Sequence, residues 1–426
     1  MGRDTVMPDR FSAFLAVCSF LATMLACTPA SANDPFLLND YAQQLLRKGE
    51  PEKALEQLQQ AYSLFPYNET LRRNLAEVYT LVGQQRMAHG RYEDAAASFD
   101  GARELYPEVQ RYGILRGIAL YSARQYDAAI VELERAQGLG GDTPDLLYVL
   151  GRAHYDTGNL TDALAAWDQA LRLDSGRKEI AAAAEKARRE LAVEGGMEHG
   201  FSSRFMISYD GDERTQLADQ ILNILETAYN RVGSDLSYFP VTRVPVLIYT
   251  RTDYRKVTKS PDWSGGMYDG KIRLPLGGVT EIHEGLRSLL FHEYTHVVIH
   301  ELTSGNCPTW LNEGLAELEG RREFSHPLTE LAAALNGGEL LSLPLLEGSF
   351  ASLSSQKATL AYQQSYSFVD YLVRTYGWHT VKDLLVALGS GKSISASFEA
   401  VYHDLALDYP GAYQEWLEHV RKEYRR

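Results

Sequence analysis

Cysteine is scarce in this chain: there are 3 in 426 residues, at positions 18, 27 and 307. Two of them fall in an apolar N-terminal run, so a chain that loses the run keeps Cys307 alone and forms no internal disulfide. Excess positive charge is also missing. Lys and Arg total 42 against 56 Asp and Glu, a net charge of −14. That balance lacks the basic footprint of a nucleic-acid binder, so no nucleic-acid partner is expected. The apolar run itself, Phe11 to Cys27 (FSAFLAVCSFLATMLAC), is short of the roughly 20 residues that span a membrane. What remains is an ordinary globular composition, 45% apolar, in a chain long enough for two or three domains.

Ala30-Ser31-Ala32 follows the apolar run with the small residues that a signal peptidase cuts. Residues 1–32 are expected to be a signal peptide, exporting the protein to the periplasm or another extracytoplasmic space. Met24 to Cys27 (MLAC) offers an alternative, a lipoprotein box that would anchor the protein to a membrane through Cys27.

Residues 34–193 are expected to form one domain, and within it residues 34–176 repeat themselves. Ala95, Ala129 and Ala163 are 34 apart, and so are Phe99, Leu133 and Trp167. Ala102, Ala136 and Ala170 keep the same interval, as do Gly83, Gly117 and Gly151. An earlier unit fits through Ala42, Ala54, Leu58 and Ala61, but with seven extra residues before the next one. Seven residues are about two helical turns, so a lengthened helix is predicted there. The 34-residue period resembles the tetratricopeptide repeat, an all-α solenoid of helical hairpins. Small residues let the helices of a hairpin approach, and the bulky residue is expected to fill the gap to the next hairpin. Four repeats are predicted, closed by an alanine-rich, solvated capping helix over Lys178 to Val193. The resemblance implies a protein partner on the concave face.

Glu194 to Gly200 (EGGMEHG) reads as a joint between domains. Beyond it, Phe205 to Tyr209 and Val244 to Tyr249 have strand character, and Leu217 to Val232 has helical spacing. Trp263 to Pro275 reads as a hairpin turning at Asp269-Gly270. Long helices follow, so residues 201–426 are expected to form an α+β domain with a small sheet.

Leu289 to His300 (LLFHEYTHVVIH) lies in a proline-free helical stretch. His292 and His296, four apart, share one helix face and can aim imidazole nitrogens at one zinc ion, with Glu293 in reach of a water. His300 lies about 12 Å along the axis from His292, too far to bind the same ion, and is expected at a helix end or in the core. Ile299 and Leu302 stand where a metzincin has glycine and histidine, and Arg287 disqualifies His283-Glu284. The short loop TSGNCP leads to a second helix, Pro308 to Gly320 (PTWLNEGLAELEG). There Glu313 can turn inward as third ligand, and Glu317, one turn on, can hold a ligand histidine.

HEYTH followed by WLNEGLAE is similar to the gluzincin metallopeptidases, and most similar to the peptidase MA-like family of exported proteins. GGMYDGKIRLP upstream and AYQQSYSFVDYLVRTYG downstream fit that family. The resemblance implies a zincin-like fold, zinc held by His292, His296 and Glu313, and Glu293 as general base. It also implies an extended peptide or protein substrate paired near Gly266 to Ile272. The family often supplies a tyrosine or histidine to the oxyanion. Tyr362 is the candidate and Tyr366 the next, although both also fit an aromatic core stripe. Cys307 is expected to be a buried, inert thiol. The expected activity is peptide hydrolysis, probed against an inactive or purely structural zincin domain on a peptide-binding scaffold.

Overall fold

The computed structural model describes residues 34–211, 215–259, 266–337 and 339–424. The signal segment 1–32, with Cys18 and Cys27, lies outside them, as do 263–265 of the predicted hairpin. The chain forms two compact units, Met1–Val82 and Gly83–Arg426.

In the first unit, α1 (Pro35–Arg47) and α2 (Pro51–Leu64) form a hairpin. Asp34 caps α1 by accepting from the Phe36 N–H at 2.8 Å, and Pro35 occupies the first turn, where its missing N–H costs nothing. Ala42, Ala54, Leu58 and Ala61 are all fully buried. The next helix, α3 (Glu69–Ala88), has 20 residues. The corresponding helices of later repeats have 13, so the extra residues do become two turns of helix.

The second unit continues the repeats with α4 (Tyr92–Leu105), α5 (Gln110–Ser122), α6 (Tyr126–Gly140), α7 (Pro144–Asp156), α8 (Leu160–Leu173) and α9 (Lys178–Glu194). The 34-spaced alanines are buried. A methyl group on Gly83 would sit 2.5 Å from Phe99, on Gly117 2.6 Å from Leu133, and on Gly151 2.4 Å from Trp167. The bulky residue of each second helix therefore fills a hollow in the first helix of its own hairpin. This corrects the expected placement between hairpins. A glycine in a helix leaves room one side chain deep, and the nearest helix takes it.

Helix α9 is not simply a solvated cap. Ile180, Ala184 and Ala187 are fully buried, and Glu190 and Glu194 are 0% and 8% exposed. The predicted joint is also shorter than expected. Glu194 still belongs to α9, and Glu198–Phe201 is already a strand, β1. It pairs antiparallel with β2 (Phe205–Tyr209), which satisfies its backbone where a free linker would remain solvated.

The remaining sheet consists of β3 (Val244–Ile248), β4 (Met267–Tyr268) and β5 (Ile272–Leu274), in the order β1-β2-β3-β5-β4. β2 and β5 run parallel to β3, while β4 and β5 form the predicted hairpin around Gly270, whose φ of 98° suits glycine. α10 (Thr215–Leu236) packs on this sheet and α11 (Arg251–Thr258) lies against α9. Then come α12 (Glu284–Thr303), α13 (Thr309–Arg321), α14 (Thr329–Gly337), α15 (Leu343–Glu347), α16 (Ser355–Tyr376), α17 (Trp378–Gly389), α18 (Ile394–Val401) and α19 (Tyr409–Tyr424). α12 is central: Leu290, Phe291, Tyr294 and Val298 are fully buried between α10 and the helices that follow. Trp310 on α13 stacks on Phe368 of α16 at 4.7 Å between ring centres.

The end of α9 meets β5 through charge. Glu190 and Glu194 are four apart on the helix, and Lys271 and Arg273 are two apart at the strand, so each pair faces the other. Arg273 donates to Glu190 and Glu194 at 2.8 Å each, and Lys271 reaches the same two carboxylates at 3.1 and 3.3 Å. Asp269 accepts from Arg273 at 2.9 Å and from Lys186 at 2.7 Å. The Tyr155 hydroxyl donates to Glu190 at 2.7 Å. A second tie joins Arg124, in the turn after α5, to Glu301 at the end of α12.

Candidate metal centre

α12 starts where His283 Nδ1 accepts from the Leu286 N–H at 3.2 Å, so that histidine caps a helix. Two turns later His292 and His296 point their rings at one place, centroids 4.8 Å apart and nearly perpendicular. The loop after Thr303 reverses the chain through Ser304 and Gly305, both at positive φ, and α13 returns alongside α12. Glycines let α13 sit deep. A methyl at Gly314 would meet the Ser365 carbonyl oxygen at 2.6 Å, and one at Gly320 the Ser288 carbonyl oxygen at 2.9 Å. Glu313, beside the first of these, turns inward.

The two Nε2 atoms are 3.2 Å apart. Glu313 Oε2 lies 3.5 Å from His292 Nε2 and 3.6 Å from His296 Nε2. Three ligands of a tetrahedral ion at about 2.0–2.1 Å are about 3.3–3.4 Å from one another, so this triangle has the size a zinc ion needs. Glu313 Oε2 is buried and has no hydrogen bond among the described residues; the same holds for Glu293 Oε2. Buried polar atoms are rarely left so. The residues present therefore fit a cation.

Partners outside the triangle orient the rings. Asn312 Oδ1 faces His296 Nδ1 at 3.1 Å, which leaves that ring's Nε2 lone pair turned inward. Glu317 Oε1 is 3.5 Å from His292 Nδ1, and its other oxygen accepts from Arg321 at 2.9 Å. Sequence reading named Glu317 and missed Asn312. The signal for Asn312 was its position next to Glu313, on the turn that faces His296.

Without a cation the charges adjust to burial. Burial pushes the Glu293 carboxyl up to about 7, against the pull of His292. Burial disfavours the charged His292 ring, but Glu313 and Glu317 outweigh it and raise its pKa to about 9. For His296 burial wins and the pKa falls. Glu313 is held below the usual carboxylate range, since the imidazoles outweigh its burial.

These residues line a cavity of about 540 Å³, together with Gly266, Tyr268, His300, Cys307 and Tyr362. A methyl at Gly266 would lie 2.4 Å from Glu293 Oε1, so the backbone there packs directly on the carboxylate. Tyr362 reaches the cavity, its ring edge-on to Phe350 at 5.3 Å. Tyr366, one turn along, instead carries the Arg321 guanidinium on its face at 4.6 Å. His300 stands apart from the triangle, in the last turn of α12, exposed and edge-on to Tyr268 at 5.6 Å. Cys307 is half-buried in the cavity wall, and burial pushes its thiol pKa up.

Residues 230–422 match the Peptidase MA superfamily. Tetratricopeptide-repeat families match 35–78 and, in overlapping stretches, 82–142, 114–178 and 148–193. Among curated proteins none matches. Solved structures similar to the chain include MamA from Desulfovibrio magneticus RS-1, 22% identical with a TM-score of 0.29, covering 37% of this chain and 91% of that one. TTC0263, a thermophilic TPR protein of Thermus thermophilus, is 24% identical with a TM-score of 0.25, covering 37% and 82%. YrrB, a TPR protein with an unusual peptide-binding site, is 22% identical with a TM-score of 0.30, covering 37% and 77%. The chain thus carries a Peptidase MA superfamily domain behind an all-helical set of tetratricopeptide repeats.

Proposed function

We propose that the protein is an exported zinc-dependent metallopeptidase of the gluzincin type, acting within polypeptide chains. The observation that carries this reading is the triangle of His292, His296 and Glu313, sized for one ion, with an orphaned Glu293 oxygen beside it. When bound, zinc would polarise a peptide carbonyl and acidify a water. Glu293 is the general base: its free Oε2 takes the water's proton and passes it to the leaving amine. Gly266 pins the other oxygen, so the carboxylate keeps one orientation. Tyr362, which lines the same cavity, offers its hydroxyl to the developing oxyanion. Asn312 and Glu317 hold the two imidazoles in the tautomers that ligation needs.

The repeats suit protein recruitment, as helical solenoids present extended binding surfaces. Export rests on residues 1–32, and cell fractionation of the tagged full-length chain tests it.

Glu293→Gln tests the chemistry. It keeps the side chain's shape and removes the base, so the variant should retain about one zinc per chain and lose about 10²–10⁴-fold in turnover. Elemental analysis and a quenched-peptide assay measure both. Unchanged turnover would remove Glu293 from the mechanism.

A further inference from the structure

A second, larger cavity of about 1210 Å³ lies between the repeats and the peptidase domain, within the same compact unit. Tyr121, Tyr126, Arg152 and Tyr155 line it from the repeat side. Tyr268 and His300 line it from the other side, and both also line the cavity of the metal centre. The two spaces therefore share a wall at these residues.

The chemistry of the larger cleft points to its occupant. Its charges are mostly answered from within: Arg124 by Glu301, Lys271 by Glu190 and Glu194, and Asp156 by the Tyr121 hydroxyl at 2.7 Å. The Arg152 guanidinium lies over the rings of Tyr121 and Tyr148, 5.4 and 5.9 Å from their centres. Such a wall selects neither strongly acidic nor strongly basic ligands; its lining is rich in tyrosine, with Tyr92, Tyr121, Tyr126, Tyr155 and Tyr268. At the shared wall, Tyr268 and His300 bring a hydroxyl and an imidazole, polar groups of the kind that a ligand's backbone can pair with. The volume exceeds the about 300–1,000 Å³ usual for small-molecule clefts, and a cleft of this form admits an extended chain rather than a folded domain.

We propose that the cleft between the repeats and the peptidase domain is an exosite for an extended, unfolded stretch of the same polypeptide whose bond is cut, led past Tyr268 and His300 to the metal centre. The proposal rests on the peptidase reading and names its substrate class: non-native or unstructured protein, engaged on both sides of Tyr268 and His300.

The test uses the full chain loaded with zinc and two substrates: reduced, alkylated lysozyme, which cannot refold, and an internally quenched hexapeptide copied from a site cut within it. Ala128→Trp places a bulky plug at an exposed position of the cleft wall on α6, and Arg152→Glu alters the wall's charge at a second place. Each is expected to raise KM for the unfolded protein about tenfold (about 1.4 kcal/mol of lost binding), with kcat unchanged and hexapeptide kcat/KM within about twofold. Loss of both activities together, or of neither, overturns the exosite. A binding arm separates this from failure of the peptidase reading. Fluorescein-labelled unfolded lysozyme is titrated with Glu293→Gln protein and followed by anisotropy. Tenfold weaker binding on adding Ala128→Trp supports the exosite even if nothing is hydrolysed, and unchanged binding sinks it.

Discussion

Two buried polar clusters in the same compact unit are built in opposite ways. Where α9 meets β5, the carboxylates of Glu190, Glu194 and Asp269 face Lys271, Arg273 and Lys186 at hydrogen-bonding range. Between α12 and α13, three ligand-type atoms crowd within 4.8 Å of one another, and two carboxylate oxygens have no donor. Both clusters are buried and both are rich in charge, so neither property separates them. Donor–acceptor balance does. The first cluster is complete as a structural device, while the second leaves carboxylate oxygens without donors, as a site that could hold a cation does.

Breaking the open cluster should have the largest effect. Glu313→Ala removes one corner of the triangle, so elemental analysis after dialysis should find no zinc, and peptide hydrolysis should fall below detection. Zinc retained at wild-type affinity would move the third ligand elsewhere.

Breaking the closed cluster should cost stability instead. Arg273 is 0% exposed, and Arg273→Met leaves two glutamates short of a partner, which costs about 3–5 kcal/mol in urea denaturation. Replacing Glu190, Glu194, Lys271 and Arg273 together by apolar residues of similar size should restore most of that loss, since well-packed apolar groups often match a buried ion pair. A quadruple variant no more stable than the single one would show that the charges themselves hold the junction.

Zinc sharpens the contrast. At about 100 times its dissociation constant it should stabilise the wild type by about 2.7 kcal/mol. Arg273→Met should gain the same increment, because the clusters share no side chain and separate sites add. Glu313→Ala should gain none. Thermal melts with and without zinc measure all three.

Acid should act on the closed cluster by the smallest margin. Burial alone would raise the Asp269 carboxyl, but Arg273 and Lys186 outweigh it and hold its pKa below the ordinary value. Its folded pKa is thus lower than its unfolded value of about 3.9. The resulting stability is fully present above about pH 4 and disappears as the pH falls through the folded value. Urea midpoints between pH 2 and 5 should drop less steeply in Asp269→Asn.

Much of this architecture was legible because it is periodic or local. The 34-residue interval located the hairpins, and the seven additional residues foretold the long α3. Phe205–Tyr209 was readable as a strand from a short run of bulky residues just after a glycine-rich joint. The His292–His296 step worked the same way, since one helix turn fixes the spacing. What escaped the sequence depends on residues distant in the chain. Glu190 read as a solvated helix charge and Glu194 as the start of the joint, because their partners are about eighty positions away. β1 was hidden among glycines, since its pairing to β2 rather than its composition makes it a strand. Tyr362 and Tyr366 share a helix and a residue type, and only packing against Phe350 or Arg321 tells them apart.

Cys307 is the one cysteine among the described residues, and it sits in the wall of the cavity at the candidate metal centre. The molecule therefore carries a built-in reporter. Alkylation by a maleimide should be slow at neutral pH and faster in alkali, because burial keeps the sulfur protonated. A peptide lodged in the cavity would shield that sulfur, so the labelling rate reads occupancy directly, with no engineered handle and no need for turnover.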